Sequence, residues 1–453
     1  MLRNPLFSKF ISYLIAFVAL IITLSLATIS IPPMQSPDEG AHHARAAGIA
    51  QGIFLLENIP GKNTSLRIDT NLIAFLDGFI PNRSINQWTP EGEALTKLKQ
   101  LRWTGNMVFY DSSSTGYKNP LVYIPQAIGI RLGQELKLTI YETYYVGRFF
   151  SMSTSLVLIF LALALFLPHP LVIGLLILPM SIFQIMMPTA DGISYGLTLL
   201  ILCLFSRLHA KQVHSLRDSL LLAIAICFLV SSRIYTFPIF LLLLFLPNTY
   251  RPAFKLALFT TSILVCIGWL TLSISNSIDL RVSRPLTSMQ IAFHYLSHPY
   301  EWAKIFFNTI SSPTQLEFYG KGFIGFLGWL HISLPQWYYY LSPSILLSLL
   351  VTELVNAIQF RRYAVLDKNA LLYLGVTLLM CFVVLNGMLV GWTPFPSPVI
   401  EGVQGRYFWI PACCLAFCLN ANQAYSKLNI AILVLFLVLN VYIIVYSFTS
   451  FYP

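Results

Sequence analysis

Long runs of apolar residues dominate the sequence, and they restrict the possible folds more than any other feature. A run of about 20 apolar residues crosses a bilayer as an α-helix, because lipid offers backbone groups no hydrogen-bond partners. Of the 453 residues, 56% are hydrophobic and 10% are charged, whereas about 25% of the residues of a soluble domain are charged. The composition therefore predicts an all-α polytopic membrane protein with one integral membrane domain, residues 1–453.

Eleven apolar segments are predicted to be transmembrane helices. They cover residues 10–31, 145–167, 171–187, 193–205, 220–230, 237–246, 256–275, 337–358, 370–390, 408–419 and 430–448. The first segment has a basic start and no clear cleavage site behind it, so we interpret it as an uncleaved signal anchor.

The charges of the loops predict the orientation. With a cytoplasmic N-terminus, the inner loops RLHAKQVHSLRD, NTYRPAFK, FRRYAVLDK and NANQAYSK all carry more Lys and Arg than acidic residues, as the positive-inside rule requires. The outer face then holds a large loop at 32–144 with amphipathic helices, a second segment at 276–336 with interfacial helices, and a third loop at 391–408. This loop bias accounts for the net charge of +10, and no basic stripe points to nucleic acid.

The stretch SPDEGAHHAR, residues 36–45, concentrates charge beside the first span. If a helix begins at the start of this stretch, Asp38, His42 and Arg45 lie within about 60° of one face. A carboxylate, an imidazole and a guanidinium so placed can take up a proton and hold an anion. Helix capping is the alternative for part of the motif, because Glu39 stands at the capping-box position. A divalent metal bound by Asp38, Glu39 and His42 is a further alternative.

Charged residues at the outer ends of other predicted spans extend this group. Such residues are costly beside lipid and are usually functional. They are Arg148, Asp191, Arg233 and Arg406, and Glu401 and Gln404 in EGVQGRY add polar groups close to Arg406. Each arginine taken singly is equally well explained by snorkelling to lipid headgroups. Several arginines beside carboxylates favour an anionic headgroup as the ligand, because the guanidinium fork matches phosphate oxygens.

Four stretches of the sequence resemble a known family. IPPMQSPDEGAHHARAAGIAQG looks like the N-terminal signature of a bacterial family of polytopic membrane proteins of unknown function. LPMSIFQIMMPTADGISYG, GFIGFLGWLHISLP and GVQGRYFWIP fit the same family in the same order. The chain departs from the family pattern at SSRIYTFPI, where a Lys-Pro-type stretch is expected. The family pattern therefore supports Arg233 less directly than the other candidate site residues. The chain departs again at His43, a position that the family usually fills with an aromatic residue.

That family is similar in layout to the GT-C glycosyltransferases, membrane enzymes that use polyprenyl-phosphate-linked sugars and carry acidic residues in the first external loop. The resemblance implies transfer of a sugar from a polyprenyl-phosphate donor to a cell-surface glycan or lipid-linked saccharide, such as an O-antigen. It also implies a site on the outer face of a bacterial inner (plasma) membrane. A lipid-linked donor suits that face, which has no pool of nucleotide sugars.

On this interpretation the acceptor hydroxyl needs a base, for which Asp38 is the first choice and Glu39 the alternative. The leaving phosphate needs positive charge. The remaining roles are phosphate binding by Arg45, Arg148 and Arg406, orientation of the base or metal binding by His42, and positioning of sugar hydroxyls or assistance to the base by Asp191. Direct displacement would invert the anomeric configuration. The rival functions are a lipid-linked oligosaccharide flippase or transporter, and a glycan polymerase or ligase.

Overall fold

The computed structural model describes residues 5–58, 61–81, 89–212, 214–359, 368–419 and 425–452. Within these ranges the chain forms α1 (Pro5–Ile29), α2 (Glu39–Ala50), α3 (Thr70–Phe79), α4 (Gly92–Gln100), α5 (Ile124–Glu135), α6 (Ile140–Leu165), α7 (Pro170–Leu176), α8 (Pro179–Met186), α9 (Ala190–Lys211), α10 (Leu216–Ser232), α11 (Leu241–Leu244), α12 (Pro252–Ser275), α13 (Ser288–Ser297), α14 (Pro299–Ser311), α15 (Pro313–Ile324), α16 (Tyr338–Gln359), α17 (Lys368–Gly391), α18 (Trp409–Ala416) and α19 (Lys427–Phe451). The fold is predominantly helical, as the composition predicts.

Two short antiparallel sheets accompany the helices. One pairs β1 (Ser65–Asp69) with β2 (Met107–Asp111), and the other pairs β3 (Phe326–Leu327) with β4 (Ile332–Ser333). Both lie in segments predicted to be external. The expectation of a purely α-helical chain therefore needs these two small sheets added to it.

Five helices are long and apolar enough to cross a membrane, counted within the described ranges. They are α6, α9, α12, α17 from Asn369 onward, and α19. Shorter apolar helical stretches cover Phe17–Ile29, Ile234–Leu244 and Tyr338–Thr352. The prediction of a helical protein that crosses the membrane several times agrees with these helices, whereas the number eleven stays a prediction.

Three of the predicted spans are not single straight helices. The segment 171–187 is divided between α7 and α8, because Pro179 lacks an N–H and starts a new helix. The segment 237–246 consists of a 3-10 helix, Ile234–Phe240, followed by the one-turn α11. The segment 408–419 contains the eight-residue α18. An eight-residue helix is about 12 Å long, too short for a hydrocarbon core of about 30 Å.

The large first loop folds around α2, which is buried along most of its length. The helices α3, α4 and α5 and the β1–β2 sheet also belong to this loop. The helix α3 is amphipathic and buries Leu72, Phe75, Leu76 and Phe79, in line with the predicted amphipathic helices. The second segment, 276–336, likewise contains the helices α13, α14 and α15.

Glycines let the central helices approach one another closely, and this fixes where α9 begins. A Cβ added at Gly192 would lie 2.9 Å from Ile185 Cα and 2.9 Å from Ser155 Oγ. Small residues allow this kind of close helix packing in membrane proteins. The first turn of α9 is therefore held against α6 and α8, and Asp191 lies in that turn.

Candidate active site

A cavity of about 1090 Å³ opens at one end of the long helices. Its charged lining residues are Asp38, Asp77, Asp191, Asp279, Lys118, Arg233, Arg281 and Arg406. Its aromatic lining residues are Tyr117, Tyr235, Trp329, Trp392 and Tyr407. Pockets that combine aromatic walls with a few convergent polar groups are typical ligand sites.

The charged residues come from the ends of different helices. Asp38 follows α1, Arg233 follows α10 and Arg281 follows α12. Asp191 lies in the first turn of α9, and Arg406 lies in the 3-10 helix Gly405–Phe408 that precedes α18. These chain segments meet at a single end of the bundle, so the cavity gathers charges that are far apart in sequence.

The buried end of the cavity is built around Asp191. Its Oδ1 accepts a hydrogen bond from Arg233 Nη2 at 2.6 Å, and its Oδ2 lies 3.7 Å from Arg406 Nη1. The amide of Gln184 lies between the two partners and, in the orientation that satisfies both, donates to Asp191 Oδ2 at 3.2 Å and accepts from Arg406 Nη1 at 3.3 Å. Gln184 comes from α8. Asp191 therefore holds two guanidiniums in place.

The exposed end of the cavity is formed by Asp38. This residue has a φ of 61°, in the left-handed region, and its side chain makes no capping hydrogen bond to α2. A non-glycine residue in this region is strained, and such strain is concentrated at functional sites. Its carboxylate is 41% exposed and lies 3.4 Å from Arg281 Nη1. Asp38 thus presents a lightly held carboxylate to the cavity.

Arg281 reaches Asp38 because the segment 276–336 is hydrogen-bonded to the first loop. Thr64 N donates to Ile278 O at 2.9 Å, and Leu280 N donates to Asn63 Oδ1 at 2.6 Å. Arg281 also pairs with Asp279 at 2.6 Å, and its guanidinium lies 5.1 Å from the centre of the Trp392 ring.

A row of three hydrogen-bonded side chains runs from the cavity into the protein. Tyr123 Oη lies 2.7 Å from His42 Nδ1, and His42 Nε2 lies 3.2 Å from Lys118 Nζ. His42 and Lys118 line the cavity. Both residues are buried, and burial lowers the pKa of His42 well below its usual value. Burial also lowers the pKa of Lys118 to about 7, and the nearby charge of Arg233 acts in the same direction.

Anchors on both sides of Lys118 fix its place in the loop. Trp269 Nε1 in α12 donates to Tyr117 O at 3.1 Å. Asn119 N donates to Ser231 O at 3.1 Å, and Asn119 Nδ2 donates to Ser231 Oγ at 3.0 Å. The segment that carries Lys118 is therefore tied to the ends of α12 and α10.

Six of the ten residues proposed from the sequence line this cavity. They are Asp38, His42, Asp191, Arg233, Gln404 and Arg406. The other four, Glu39, Arg45, Arg148 and Glu401, do not belong to its lining.

Glu39 and Arg148 form a separate buried group behind α2. Glu39 accepts hydrogen bonds from Met34 N at 3.1 Å, Ser36 N at 2.8 Å and Tyr144 Oη at 2.5 Å. Arg148 donates to Met186 O at 2.8 Å and to Ile31 O at 3.1 Å. Burial raises the pKa of Glu39, although the charge of Arg148 opposes the shift. The partners of both side chains are protein groups, which join the first loop to α6.

Arg45 and Glu401 also lie away from the cavity lining. Arg45 is buried and donates to Phe54 O at 2.6 Å. Glu401 has an exposed side chain, while its backbone N donates to Thr393 Oγ1 at 3.0 Å. His43, whose identity departs from the family pattern, is buried and lies 2.8 Å from Gln126 Nε2.

The expected helix start and the shared face of Asp38, His42 and Arg45 need correction. The helix α2 begins at Glu39 and not at Ser36, because Asp38 leaves the helical region at positive φ. The capping-box contact from Glu39 back to Ser36 N does form, at 2.8 Å. His42 and Arg45 then point to different surroundings, because His42 lines the cavity and Arg45 bonds to Phe54 O.

The metal set proposed from the sequence does not form. Among the residues that the structure describes, no group of three His, Cys, Asp or Glu side chains could hold a metal ion. The physical reason lies in the neighbours. Glu39 accepts from two backbone N–H groups and Tyr144, and both ring nitrogens of His42 have partners.

The sequence analysis missed Asp77, Asp279, Lys118 and Arg281 among the charged lining residues, and it missed Gln184, which bridges Asp191 and Arg406. Lys118 and Arg281 lie in loops between helices, where isolated charges are common and no spacing marks them. Gln184 did carry a signal, because an amide within an apolar segment is costly in lipid and is often functional.

The two glycines of EGVQGRY position Arg406 through the backbone. Gly402 has a φ of 75°, and a Cβ there would lie 2.1 Å from Trp392 Cδ1. A Cβ at Gly405 would lie 2.1 Å from Tyr319 O in α15. These glycines thus let the loop turn under Trp392 and approach α15.

Comparison with known proteins supports the family but not a named activity. The family described as "Predicted membrane protein (DUF2142)" matches residues 20–415. No curated protein matches the chain, and no solved structure does either. The resemblance to a membrane family of unknown function is confirmed by this match, which covers most of the chain and includes every residue that lines the cavity. The chain therefore belongs to the membrane protein family DUF2142.

Proposed function

We propose that the protein is a membrane glycosyltransferase of GT-C type. It transfers a sugar from a polyprenyl-phosphate donor to a cell-surface glycan or lipid-linked saccharide. We place it in the inner membrane of a bacterium, with the N-terminus in the cytoplasm, as many as eleven membrane crossings and the cavity on the outer face.

The observation that carries this proposal is the contrast within one cavity between a half-exposed carboxylate and buried cations. Asp38 is 41% exposed, whereas Lys118, Arg233 and Arg406 are all buried. A glycosyl transfer from a lipid phosphate needs an accessible carboxylate and a group of cations. The acceptor hydroxyl loses a proton to a base, and the leaving phosphate gains negative charge.

The chemistry can be written with these residues in place. The acceptor oxygen attacks the anomeric carbon of the donor sugar while its proton moves to the Asp38 carboxylate. The bond between the anomeric carbon and the phosphate oxygen breaks, and its electron pair stays on the phosphate. The cations of the cavity stabilise that charge. A single displacement of this kind inverts the anomeric configuration.

The geometry also bears on which carboxylate is the base. Glu39 has three hydrogen-bond donors from the protein and does not line the cavity. Asp191 is occupied by Arg233, Arg406 and Gln184. Among the described side chains, the charged partner of Asp38 is Arg281 at 3.4 Å, and Asp38 faces the space that a substrate would fill. These contacts favour Asp38 as the base and Asp191 as the residue that orients the two arginines.

The test is sugar transfer by the purified full chain in lipid nanodiscs, with a panel of polyprenyl-phosphate sugars as donors and lipid-linked saccharides as acceptors. Wild type is compared with Asp38→Asn. General-base catalysis contributes about 10²–10⁴ in rate, so Asp38→Asn is expected to lose activity by that factor. Glu93→Gln is the matched control, because Glu93 is an exposed carboxylate on α4 paired only with Lys97.

Two results would count against the proposal. Full activity of Asp38→Asn would remove Asp38 as the base. The absence of transfer from any donor by folded wild-type protein would remove the glycosyltransferase and favour a transporter of lipid-linked saccharides.

A further inference from the structure

Lys118 differs from the arginines of the cavity in its distance from the carboxylates. Arg233 and Arg406 contact Asp191, and Arg281 contacts Asp38 and Asp279. Within the described part of the chain, Lys118 has no carboxylate within 4.0 Å, although its residue is only 4% exposed. A buried charge that makes no direct ion pair is costly, and the carboxylates of Asp38 and Asp191 stabilise the Lys118 charge from beyond that distance.

Lys118 can donate more hydrogen bonds than the described side chains accept. An ammonium has three N–H donors. The described residues supply one hydrogen-bond partner, His42 Nε2 at 3.2 Å. Because Lys118 lines the cavity, an acceptor bound in the cavity can take up the remaining N–H groups.

His42 and Tyr123 hold the amine in place and leave His42 no free ring nitrogen. A neutral imidazole has one donor and one acceptor nitrogen. When Lys118 is an ammonium, His42 Nε2 accepts from it, so Nδ1 carries the hydrogen and donates to Tyr123 Oη at 2.7 Å. The imidazole is therefore directed at Lys118 and Tyr123, and it acts on a ligand through Lys118.

Two further groups of the lining lack partners. Arg406 Nε is a buried donor and Gln404 Oε1 is a buried acceptor, and neither has a hydrogen-bond partner among the described residues. Both residues line the cavity with Lys118. A buried N–H group on a positively charged side chain is best satisfied by an anion, and a buried acceptor is best satisfied by a hydroxyl.

We propose that Lys118 binds a phosphate oxygen of the substrate, beside Arg406, and that His42 and Tyr123 are positioning residues for its Nζ. The identity of the anion as a phosphate rests on the proposed function. Lys118 then supplies the charge that the sequence assigned to Arg45 and Arg148, which bond to backbone carbonyls elsewhere. A lipid-linked phosphate and a soluble phosphate would present the same oxygens.

The test is binding rather than transfer, so that it can succeed or fail independently of the glycosyltransferase proposal. The full chain in nanodiscs is titrated with three probes: a polyprenyl monophosphate, the corresponding polyprenol without phosphate, and inorganic phosphate. Lys118→Met is compared with wild type. The matched control is Lys97→Met, which removes an exposed lysine of α4. The tighter of the two phosphate probes identifies the natural source of the phosphate.

Loss of a charge-assisted hydrogen bond is expected to weaken binding of the phosphate probe by about 10- to 100-fold in Lys118→Met. Binding of the polyprenol is expected to stay unchanged. Lys118→Arg keeps the charge and should recover most of the affinity, which also shows that the site is folded. Equal affinity of wild type and Lys118→Met for both phosphate probes would overturn the proposal, as would an equal loss for polyprenol and polyprenyl phosphate.

The positioning role of His42 has its own readout. His42→Leu removes the acceptor for Lys118, whereas His42→Gln offers an amide oxygen in its place. We expect His42→Leu to weaken phosphate binding severalfold and His42→Gln to restore most of the loss. The same affinity in both variants would remove the positioning role. If phosphate binding depends on Lys118 while wild type transfers no sugar, the Lys118 site stands and the glycosyltransferase proposal falls.

Discussion

The two ends of the cavity hold ion pairs that differ in their exposure to water. At one end Asp191 and Arg233 lie 2.6 Å apart, and their side chains are 9% and 8% exposed. At the other end Asp38 and Arg281 lie 3.4 Å apart, and their side chains are 41% and 30% exposed. We call these the buried pair and the exposed pair. Charges interact more strongly where water is excluded, and a buried charge that loses its partner is left uncompensated. The buried pair therefore holds the architecture, and the exposed pair leaves its carboxylate accessible to a ligand.

The comparison also explains why one cavity can hold two aspartates with different tasks. Asp191 is surrounded by Arg233, Arg406 and Gln184, so its oxygens have donors before any substrate arrives. Asp38 is held by one long contact and by a strained backbone. A substrate hydroxyl can approach Asp38 without displacing a protein donor.

The largest effect on stability is expected from Arg233→Met. This change removes the closest cation of the buried Asp191 and leaves it with Arg406 at 3.7 Å, the amide of Gln184 and the more distant charge of Lys118. We expect the free energy of unfolding to fall by about 3–5 kcal/mol, measured by denaturant titration in detergent micelles. The double variant Arg233→Met/Asp191→Asn should recover most of the loss, because it also removes the uncompensated charge. A loss under about 1 kcal/mol would place the buried pair in the class of surface pairs.

A smaller effect is expected from Glu39→Gln, which tests whether the neighbour of Asp38 is structural. The carboxylate accepts from Met34 N, Ser36 N and Tyr144 Oη, and an amide would turn an NH₂ group toward one of these donors. We expect the free energy of unfolding to fall by about 1–3 kcal/mol. The transfer rate per folded molecule should stay the same, because Glu39 does not line the cavity. Loss of transfer in a stably folded Glu39→Gln protein would make Glu39 the base.

The sequence predicted the helical membrane fold and six residues of the cavity for a shared physical reason. Apolar runs must be helical in lipid, and charges at the ends of such runs are costly enough to be functional. Asp191, Arg233 and Arg406 could therefore be found without a structure. The number of single-helix spans could not, because a run such as 171–187 does not reveal that Pro179 divides it.

The residues that sequence reasoning misplaced depend on local backbone geometry and on partners distant in the chain. The periodicity argument for Arg45 assumed a helix through Asp38, but the positive φ of Asp38 delays the start of α2 to Glu39. Helical periodicity also cannot say what packs on each face, and Arg148 faces the backbone carbonyls of Met186 and Ile31. Lys118 becomes recognisable only when the fold brings it to His42, 76 positions earlier in the chain.

An effect of about tenfold is expected in the pH dependence of donor use. The pKa of Lys118 is lowered from 10.5 to about 7, so the ammonium predominates below pH 7 and the neutral amine above it. Because the ammonium is the form that attracts phosphate, kcat/KM for the donor should fall as the pH rises from 7 to 9, by about tenfold. Lys118→Arg should abolish most of this fall in kcat/KM between pH 7 and 9, because a guanidinium stays charged. Identical profiles for wild type and Lys118→Arg would exclude Lys118 from donor binding.

The smallest effect is expected from Arg281→Met, the change that breaks the exposed pair. Asp38 keeps its access to water when Arg281 is removed, so water can solvate its charge. Asp191, in contrast, is buried when Arg233 is removed. We expect the free energy of unfolding to change by no more than about 1 kcal/mol, with added salt reducing the difference between variant and wild type. Arg131→Met is the matched control, because Arg131 forms an exposed pair with Glu135 on α5. If Arg281→Met destabilises the protein as much as Arg233→Met, the contacts of Arg281 with Asp38, Asp279 and Trp392 hold the fold as firmly as the buried pair does, and the contrast between the two pairs fails.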